Sequence, residues 1–239
     1  MKYAIVTGGT RGIGLAVAEM LLAEGYYVFV TYAHDDASAK KCVGLLKEIS
    51  ESFEILKVNQ AKKNEMREFV QKMQQQPSID CLICNVGTTL RKDLCEVEDD
   101  EWEQVMQVNV NSNVYLIRDL FYKFPNNSRI IFIGSLMAIY PHGNSLAYGV
   151  TKSAVHALAK NLVKNFVGTG TTVNVVAPGF VETEWQKDKP QDIRYSICEK
   201  TALKRFATVE EITEAVKFCI NNGFVNGSVI EVSGGYCFK

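Results

Sequence analysis

The feature that most constrains this chain is its opening strand, turn and helix. A nearly unbroken apolar run, Tyr3-Ala-Ile-Val-Thr7, meets Gly8, Gly9, Gly12 and Gly14, and a helical stretch from Leu15 to Glu24 then stops at Gly25. An apolar run without alternation marks a strand buried on both faces, as in a parallel sheet covered by helices. Glycines between such a strand and a helix let the backbone approach a pyrophosphate. The helix that follows offers unpaired N–H groups and the positive end of its dipole. The spacing, Thr-Gly-x-x-x-Gly-x-Gly, differs from the more familiar G-x-G-x-x-G, but it sits in the strand–turn–helix setting that such a loop needs. A glycine-rich loop that binds nothing is the competing interpretation.

The same alternation continues to the end. Residues 28–32, 53–57, 80–84, 129–134, 171–177 and 228–232 read as strands, and 37–51, 62–75, 99–124, 145–167 and 209–221 as helices. With 239 residues and 47% apolar content, this predicts one α/β domain spanning residues 1–239. Its fold class is a Rossmann-type, doubly wound parallel sheet of about seven strands with helices on both faces. No composition break marks a linker. The stretch 182–201, with Trp185 and Pro190, is poorly patterned and reads as a long loop at a strand's carboxyl end, where a lid would lie.

Several function classes fall away. A net charge of −1 gives no case for nucleic acid or an anionic membrane surface, and no apolar stretch approaches the length of a bilayer span. Met1-Lys-Tyr runs straight into a strand, which reads against a signal peptide and for a cytoplasmic, reduced chain despite seven cysteines. Cys81-Leu-Ile-Cys84 resembles a redox or zinc pair, but a period of two puts its sulfurs on opposite faces of a strand. His34, His142 and His156 show no ligand spacing, so no metal is expected.

Tyr148 and Lys152 stand four residues apart in a helical stretch, which places phenol and ammonium on one face. Bringing a phenol from about 10 to about 7 takes roughly 4 kcal/mol. A positive charge about 4 Å away at an effective dielectric near 20 supplies roughly that much. One lysine could therefore make Tyr148 a usable acid or base. A surface pair on an amphipathic helix is the bland alternative.

Taken together, Thr7-Gly-Gly-Thr-Arg-Gly-Ile-Gly14, Asn85-Val-Gly87, Asn109, Ser135 and Tyr148-x-x-x-Lys152 resemble the short-chain dehydrogenase/reductase family, from Lys2 to about Tyr236. Within it the chain is most similar to the bacterial 3-oxoacyl-(acyl-carrier-protein) reductases of fatty acid biosynthesis, through Thr-Arg-Gly-Ile-Gly and Val173-Asn-Val-Val-Ala-Pro-Gly-Phe-Val-Glu-Thr183. The resemblance implies reversible hydride transfer between a nicotinamide cofactor and a carbonyl, with 182–201 a mobile flap over the substrate. It makes Tyr148 the proton donor, Ser135 the group that orients the carbonyl oxygen, Lys152 the residue that tunes Tyr148 and reaches the nicotinamide ribose, and Asn109 the holder of a water that returns the proton. The cofactor would lie on Gly8, Thr10, Arg11, Gly12, Ile13 and Gly14, with Asn85 and Gly87 beside its ribose. Pro178, Gly179, Val181 and Thr183 would hold the nicotinamide amide, and Asn59 the adenine amino group. Cys84 and Val86 depart from the family's Asn-Asn-Ala-Gly.

Residues near the end of the second predicted strand select the cofactor. No acid stands at Tyr32 to accept a ribose 2′-OH, and Asp35 and Asp36 come late enough to cap the next helix. Arg11 can donate to a 2′-phosphate, so NADP(H) is expected in preference to NAD(H). His34 is a second candidate there, although a lone exposed histidine is more often inert. Leu136, Met137, Ile139, Tyr140, Phe180 and Trp185 are the expected apolar lining beside Ser135, with core packing the alternative for each. Acyl-carrier reductases carry basic residues where this chain has Asn126-Asn127 and Thr169, so an acidic carrier would meet less positive charge. A 3-oxoacyl thioester, a free ketone (secondary alcohol, sugar or steroid in reverse) and a non-catalytic cofactor-binding regulator stay open, the last disfavoured by the intact quartet. The resemblance also implies a homotetramer, and Ala147, Ala154 and Ala157 would allow close helix approach.

Overall fold

Seven parallel strands form one sheet in the computed structural model, which describes residues 1–141 and 145–238. In chain order they are β1 (Lys2–Val6), β2 (Tyr26–Tyr32), β3 (Phe53–Lys57), β4 (Cys81–Cys84), β5 (Arg129–Ile133), β6 (Thr172–Pro178) and β7 (Val229–Val232). Their spatial order is β3-β2-β1-β4-β5-β6-β7, so strand order reverses direction at the β1–β4 seam. Val6 stands opposite Val30 on one side and Ile83 on the other. Ligands of open α/β sheets bind at such a seam, outside the carboxyl ends of the strands.

Among the described residues eight α-helices wrap the sheet: α1 (Gly12–Ala23), α2 (Asp36–Lys47), α3 (Lys63–Gln74), α4 (Asp99–Met106), α5 (Ser112–Asp119), α6 (Leu146–Leu162), α7 (Gln191–Lys200) and α8 (Val209–Asn221). Successive residues of one strand feed two separate cores. Ile5, Leu82 and Ile130 pack on one face, and Val6, Ile83 and Ile131 on the other. Cys81 and Cys84 divide between these cores as the period of two requires, both buried, and burial pushes both thiols up. They are packing residues. Of the histidines, His142 lies outside the described residues, and no group of three or more potential metal ligands occurs among those described.

Three expectations are corrected. The single helix over 99–124 is interrupted by a π turn at Gln107–Asn111, and its last part is a 3-10 turn at Phe121–Lys123. The stretch 182–201 is not one long loop, since it holds a 3-10 turn at Glu184–Gln186 and the ten-residue α7. Pro190 is the N-cap just before α7, where its missing N–H removes no helix hydrogen bond. The second predicted helix, 37–51, begins one residue earlier, at Asp36, where Asp35 accepts a hydrogen bond from Ser38 N, and ends four residues short, at Lys47.

Gly8 adopts φ +63°, a left-handed conformation suited to glycine. At Gly14 space is the constraint, because a Cβ there would lie 2.4 Å from the Gly8 carbonyl oxygen and 2.6 Å from Asn85 Nδ2. Gly14→Ala is therefore expected to destabilise the protein by about 1–3 kcal/mol, read as a lower urea midpoint at unchanged slope. A midpoint equal to the parent's would show that the turn has slack.

Candidate active site

The glycine turn is clamped from the neighbouring strand. Thr7 N donates to Ile83 O at 3.0 Å, Asn85 N donates to Thr7 Oγ1 at 2.9 Å, and Asn85 Nδ2 donates to Thr7 O and Gly8 O at 3.0 and 2.9 Å. Val86 closes on the other side, with its Cγ2 only 2.9 Å from where a Gly8 Cβ would be. The departure from the family motif at Val86 is thus absorbed by glycine. Arg11, extended at φ −161°, precedes α1 without a side-chain cap, and the first turn of α1 has no acid. Gly12 (φ +55°) faces the first residues of the flap, since its Cβ would sit 3.4 Å from Thr183 Cγ2. This open cradle, with uncapped N–H groups and no acid, fits a dinucleotide pyrophosphate. Thr10 is buried beside it, and Ile13 packs into the core below. After β6, Val181 pairs with Ala207 in a single bridge, and Gly179 N donates to Val232 O at 2.9 Å, which holds Pro178–Thr183 over the cradle.

At the ends of β2 and β3 lies a network the sequence did not reveal. Arg11 Nη1 is 3.2 Å from Asp35 Oδ2. Tyr32 Oη donates to Asp36 at 2.9 Å, and Lys57 Nζ pairs with the same carboxylate at 2.8 Å. These bonds, first of all those to Lys57, hold Asp36 below its ordinary value. His34 Nε2 and Asn59 Nδ2 are 3.3 Å apart, and Asn59 Oδ1 already accepts from Ala61 N at 3.0 Å. Lys57 belongs to this region, and its only signal was its place as the last residue of a strand.

Tyr148, Lys152 and His156 share one face of α6 and meet the carboxyl end of β5. Ser135 opens a short 3-10 turn there, and its Oγ accepts from Met137 N at 3.1 Å. Its hydroxyl also bonds the Tyr148 side chain, which favours phenolate, but burial dominates and pushes the phenol above its ordinary value. Lys152, 4% exposed, donates from Nζ to Ile133 O at 2.7 Å. Burial lowers this ammonium to about 8. It stands 5.6 Å from the centre of the Tyr148 ring and 3.4 Å from where a Gly87 Cβ would be. The expected lowering of Tyr148 by Lys152 is thus not what the protein alone provides. The ammonium is bonded elsewhere, and burial of the phenol outweighs what hydrogen bonding contributes.

Asn109 lies in the π turn, buried, and its side chain is not satisfied by its own helix. Its Oδ1 accepts from Thr88 N at 2.8 Å, and its Nδ2 donates to Thr88 O at 2.9 Å and to Thr151 Oγ1 at 2.8 Å. Asn109 therefore ties the loop after β4 to α6, and its carbonyl accepts from Asn113 Nδ2 at 2.8 Å. Thr88 and Thr151 had no sequence signal. His156 had one, its spacing of four from Lys152. Its Nε2 accepts from Ser135 N at 3.4 Å and would lie 2.3 Å from a Gly134 Cβ, and burial lowers it to about 4. The imidazole is a neutral acceptor behind Ser135.

Of the expected lining, Leu136 is buried while Ile139 and Trp185 are exposed. Trp185 comes within 6.5 Å of the Tyr148 ring, centre to centre. Phe180 packs at a tilt against both Phe206 and Tyr236, and Tyr140 packs on Tyr236. No helix among the described residues is long and apolar enough to cross a membrane.

The family model described as short chain dehydrogenase matches residues 2–194. The chain is 31% identical to a 3-oxoacyl-(acyl-carrier-protein) reductase FabG of Staphylococcus epidermidis, with 98% of each chain covered. It is 30% identical to the reductase of that name from Escherichia coli, covering 98% of this chain and 96% of the other. Among solved structures, a short-chain dehydrogenase/reductase from Serratia marcescens superposes with a TM-score of 0.92 at 27% identity, over 99% of this chain and 98% of that one. A blue fluorescent protein from a metagenomic library, in complex with NADPH, superposes at 0.91 with 29% identity, over 98% and 97%. With the glycine cradle at the switch point and the match over most of its length, the chain belongs to the short-chain dehydrogenase/reductase family and is an NAD(P)-dependent oxidoreductase acting on carbonyl or hydroxyl groups.

Proposed function

We propose that this chain reduces a 3-oxoacyl thioester to the 3-hydroxyacyl product with NADPH. The observation that carries the reading is the Tyr148 phenol, bonded to Ser135 and kept protonated by burial, at the carboxyl end of the sheet beside the glycine cradle. The names of its reductase relatives favour the thioester. Bound NADPH supplies the hydride; the protein's part is placement and protons. Tyr148 donates its proton to the carbonyl oxygen. Ser135 Oγ spends a lone pair on Met137 N, and its O–H, turned to the phenol in the protein alone, would donate to the same carbonyl oxygen once substrate is bound. Lys152 uses one of three N–H donors on Ile133 O and has two left for the ribose and the phenol. Asn109 holds the loop carrying Gly87 and Thr88 against α6, with a carbonyl lone pair left for a water.

An assay of NADPH oxidation with carrier- or coenzyme-A-linked 3-oxobutyryl thioesters against free ketones, sugars and steroids tests the substrate. A kcat/KM for the thioesters at least about tenfold above any free ketone is the expected result, about 1.4 kcal/mol of discrimination. A free ketone outrunning both thioesters would replace this reading, and no turnover of any carbonyl would leave a cofactor-binding regulator.

The cofactor proposed is NADP(H), on Arg11. Because Asp35 already pairs with that guanidinium, a 2′-phosphate must compete for it. NADPH is expected to be used at least about tenfold more efficiently than NADH, a margin of about 1.4 kcal/mol, and Arg11→Ala to erase it. Asp35→Ser, which keeps a capping hydroxyl, is expected to widen the margin. Equal use of both cofactors by the parent protein contradicts the assignment. A homotetramer is proposed with this reading on the family likeness, and a monomeric mass by light scattering at micromolar concentration would count against it.

A further inference from the structure

The chain leaving β5 is held residue by residue. Ile133 O accepts from Lys152 Nζ at 2.7 Å, Gly134 N donates to Val176 O at 2.7 Å, and Ser135 N donates to His156 Nε2 at 3.4 Å. The strand ladders have run out by then, since β5 pairs with β4 as far as Phe132 and with β6 as far as Ile133. Ser135 is 8% exposed, and a buried N–H beyond the ladders needs another acceptor. The imidazole supplies it from α6, one helical turn beyond the lysine that grips Ile133.

Gly134 leaves the room for that ring. A Cβ there would lie 2.3 Å from His156 Nε2 and 2.9 Å from its Cδ2, so the imidazole fills the space that a side chain at 134 would take. An apolar side chain could fill the same space, but it would leave the Ser135 N–H unpaired. Burial first, then the charges of Lys152 and Lys160, lower His156 to about 4, so Nε2 keeps its lone pair at neutral pH. Accepting at Nε2 puts the ring proton on Nδ1.

The bond reaches the reaction through one residue. Ser135 is extended at φ −164°, its Oγ accepts from Met137 N at 3.1 Å, and its side chain bonds the Tyr148 phenol. With its N–H held by His156 and its Oγ by Met137 N, the hydroxyl is fixed at both ends of the residue. Such placement matters, because an error of about 1 Å in a reacting geometry can cost about 10²-fold in rate.

We propose that His156 is a positioning residue for the reaction: through the Ser135 N–H it sets where the Ser135 hydroxyl meets the carbonyl oxygen. The inference rests on the carbonyl-reductase reading, in which Ser135 orients that oxygen, and adds to it a residue that acts only through Ser135.

Steady-state kinetics of His156→Leu, His156→Gln, Ser135→Ala and the double variant of His156→Leu with Ser135→Ala test it, on whichever carbonyl the enzyme reduces best. His156→Leu is expected to lower kcat about tenfold and to leave the KM for NADPH within about twofold, as a displaced hydroxyl would. His156→Gln, whose amide oxygen can accept where Nε2 does, is expected to come back to within about threefold of the parent. In the Ser135→Ala background His156→Leu is expected to cost less than about twofold more, since no hydroxyl is left to aim. Losses that multiply in the double variant, or a His156→Gln as slow as His156→Leu, show packing alone and overturn the proposal. A second measurement uses the parent protein and stands even if His156→Leu does not fold. Nitrogen-15 NMR of histidine-labelled protein at neutral pH is expected to show Nδ1 protonated and Nε2 bare, the ring being identified by its loss in His156→Gln. A proton on Nε2 overturns the proposal without any turnover. The reading beneath it fails by a different result, a Ser135→Ala enzyme as fast as the parent.

Discussion

Tyr148→Phe is expected to lower kcat for carbonyl reduction about 10²–10⁴-fold, the usual worth of a positioned proton donor. NADPH affinity is expected to stay within a factor of about three, because the phenol's side-chain bond is to Ser135 and the cradle is built elsewhere. Fluorescence titration of the variant with NADPH, beside its steady-state rate, separates the two. Ser135→Ala is expected to fall short of Tyr148→Phe, since it removes an orienting bond and leaves the proton source. A Tyr148→Phe enzyme that kept more than about a tenth of the parent kcat would remove Tyr148 as the acid.

The second large effect concerns pH. Burial raises the phenol and lowers the ammonium of Lys152 to about 8, so rising pH takes the first proton from Lys152. Reduction needs the phenol protonated and the ammonium charged. The kcat/KM for reduction is therefore expected to be level below neutrality and to fall about tenfold per unit above a midpoint near 8. That midpoint belongs to the coupled pair. A guanidinium does not deprotonate in this range, so in Lys152→Arg the falling limb is expected to move up by at least about one unit, at reduced kcat. A limb that stayed near 8 in Lys152→Arg would assign the titration to another group. His156, neutral down to about 4, takes no part in this window.

Much of this was legible in the sequence because the deciding signals were local. Buried parallel strands announce themselves as apolar runs, and all seven lie within a residue or two of where the pattern puts them. The glycine turn and the Tyr148–Lys152 spacing are short-range too. The misreadings came where distant residues decide. The π turn at Gln107–Asn111 accompanies bonds from Asn109 to Thr88 and Thr151, which no local preference encodes. The pairing of Arg11 with Asp35 joins residues 24 apart, and the donation of Lys152 to Ile133 joins residues 19 apart. Burial depth was the other blind spot. A spacing of four places an ammonium near a phenol, but whether the pair is wet or dry sets the sign of each shift, and here it is dry.

Transfer of deuterium from the cofactor tests the central claim most directly. The protein is incubated with NADPH deuterated at both C4 positions and a 3-oxobutyryl thioester, and the 3-hydroxybutyryl product is examined by mass spectrometry and NMR. The expected result is one deuterium, on the carbinol carbon, in product formed by the parent protein, and no product above background with Tyr148→Phe. Cofactor that binds but passes no deuterium to any carbonyl tested, or product formed equally well without Tyr148, would contradict the account.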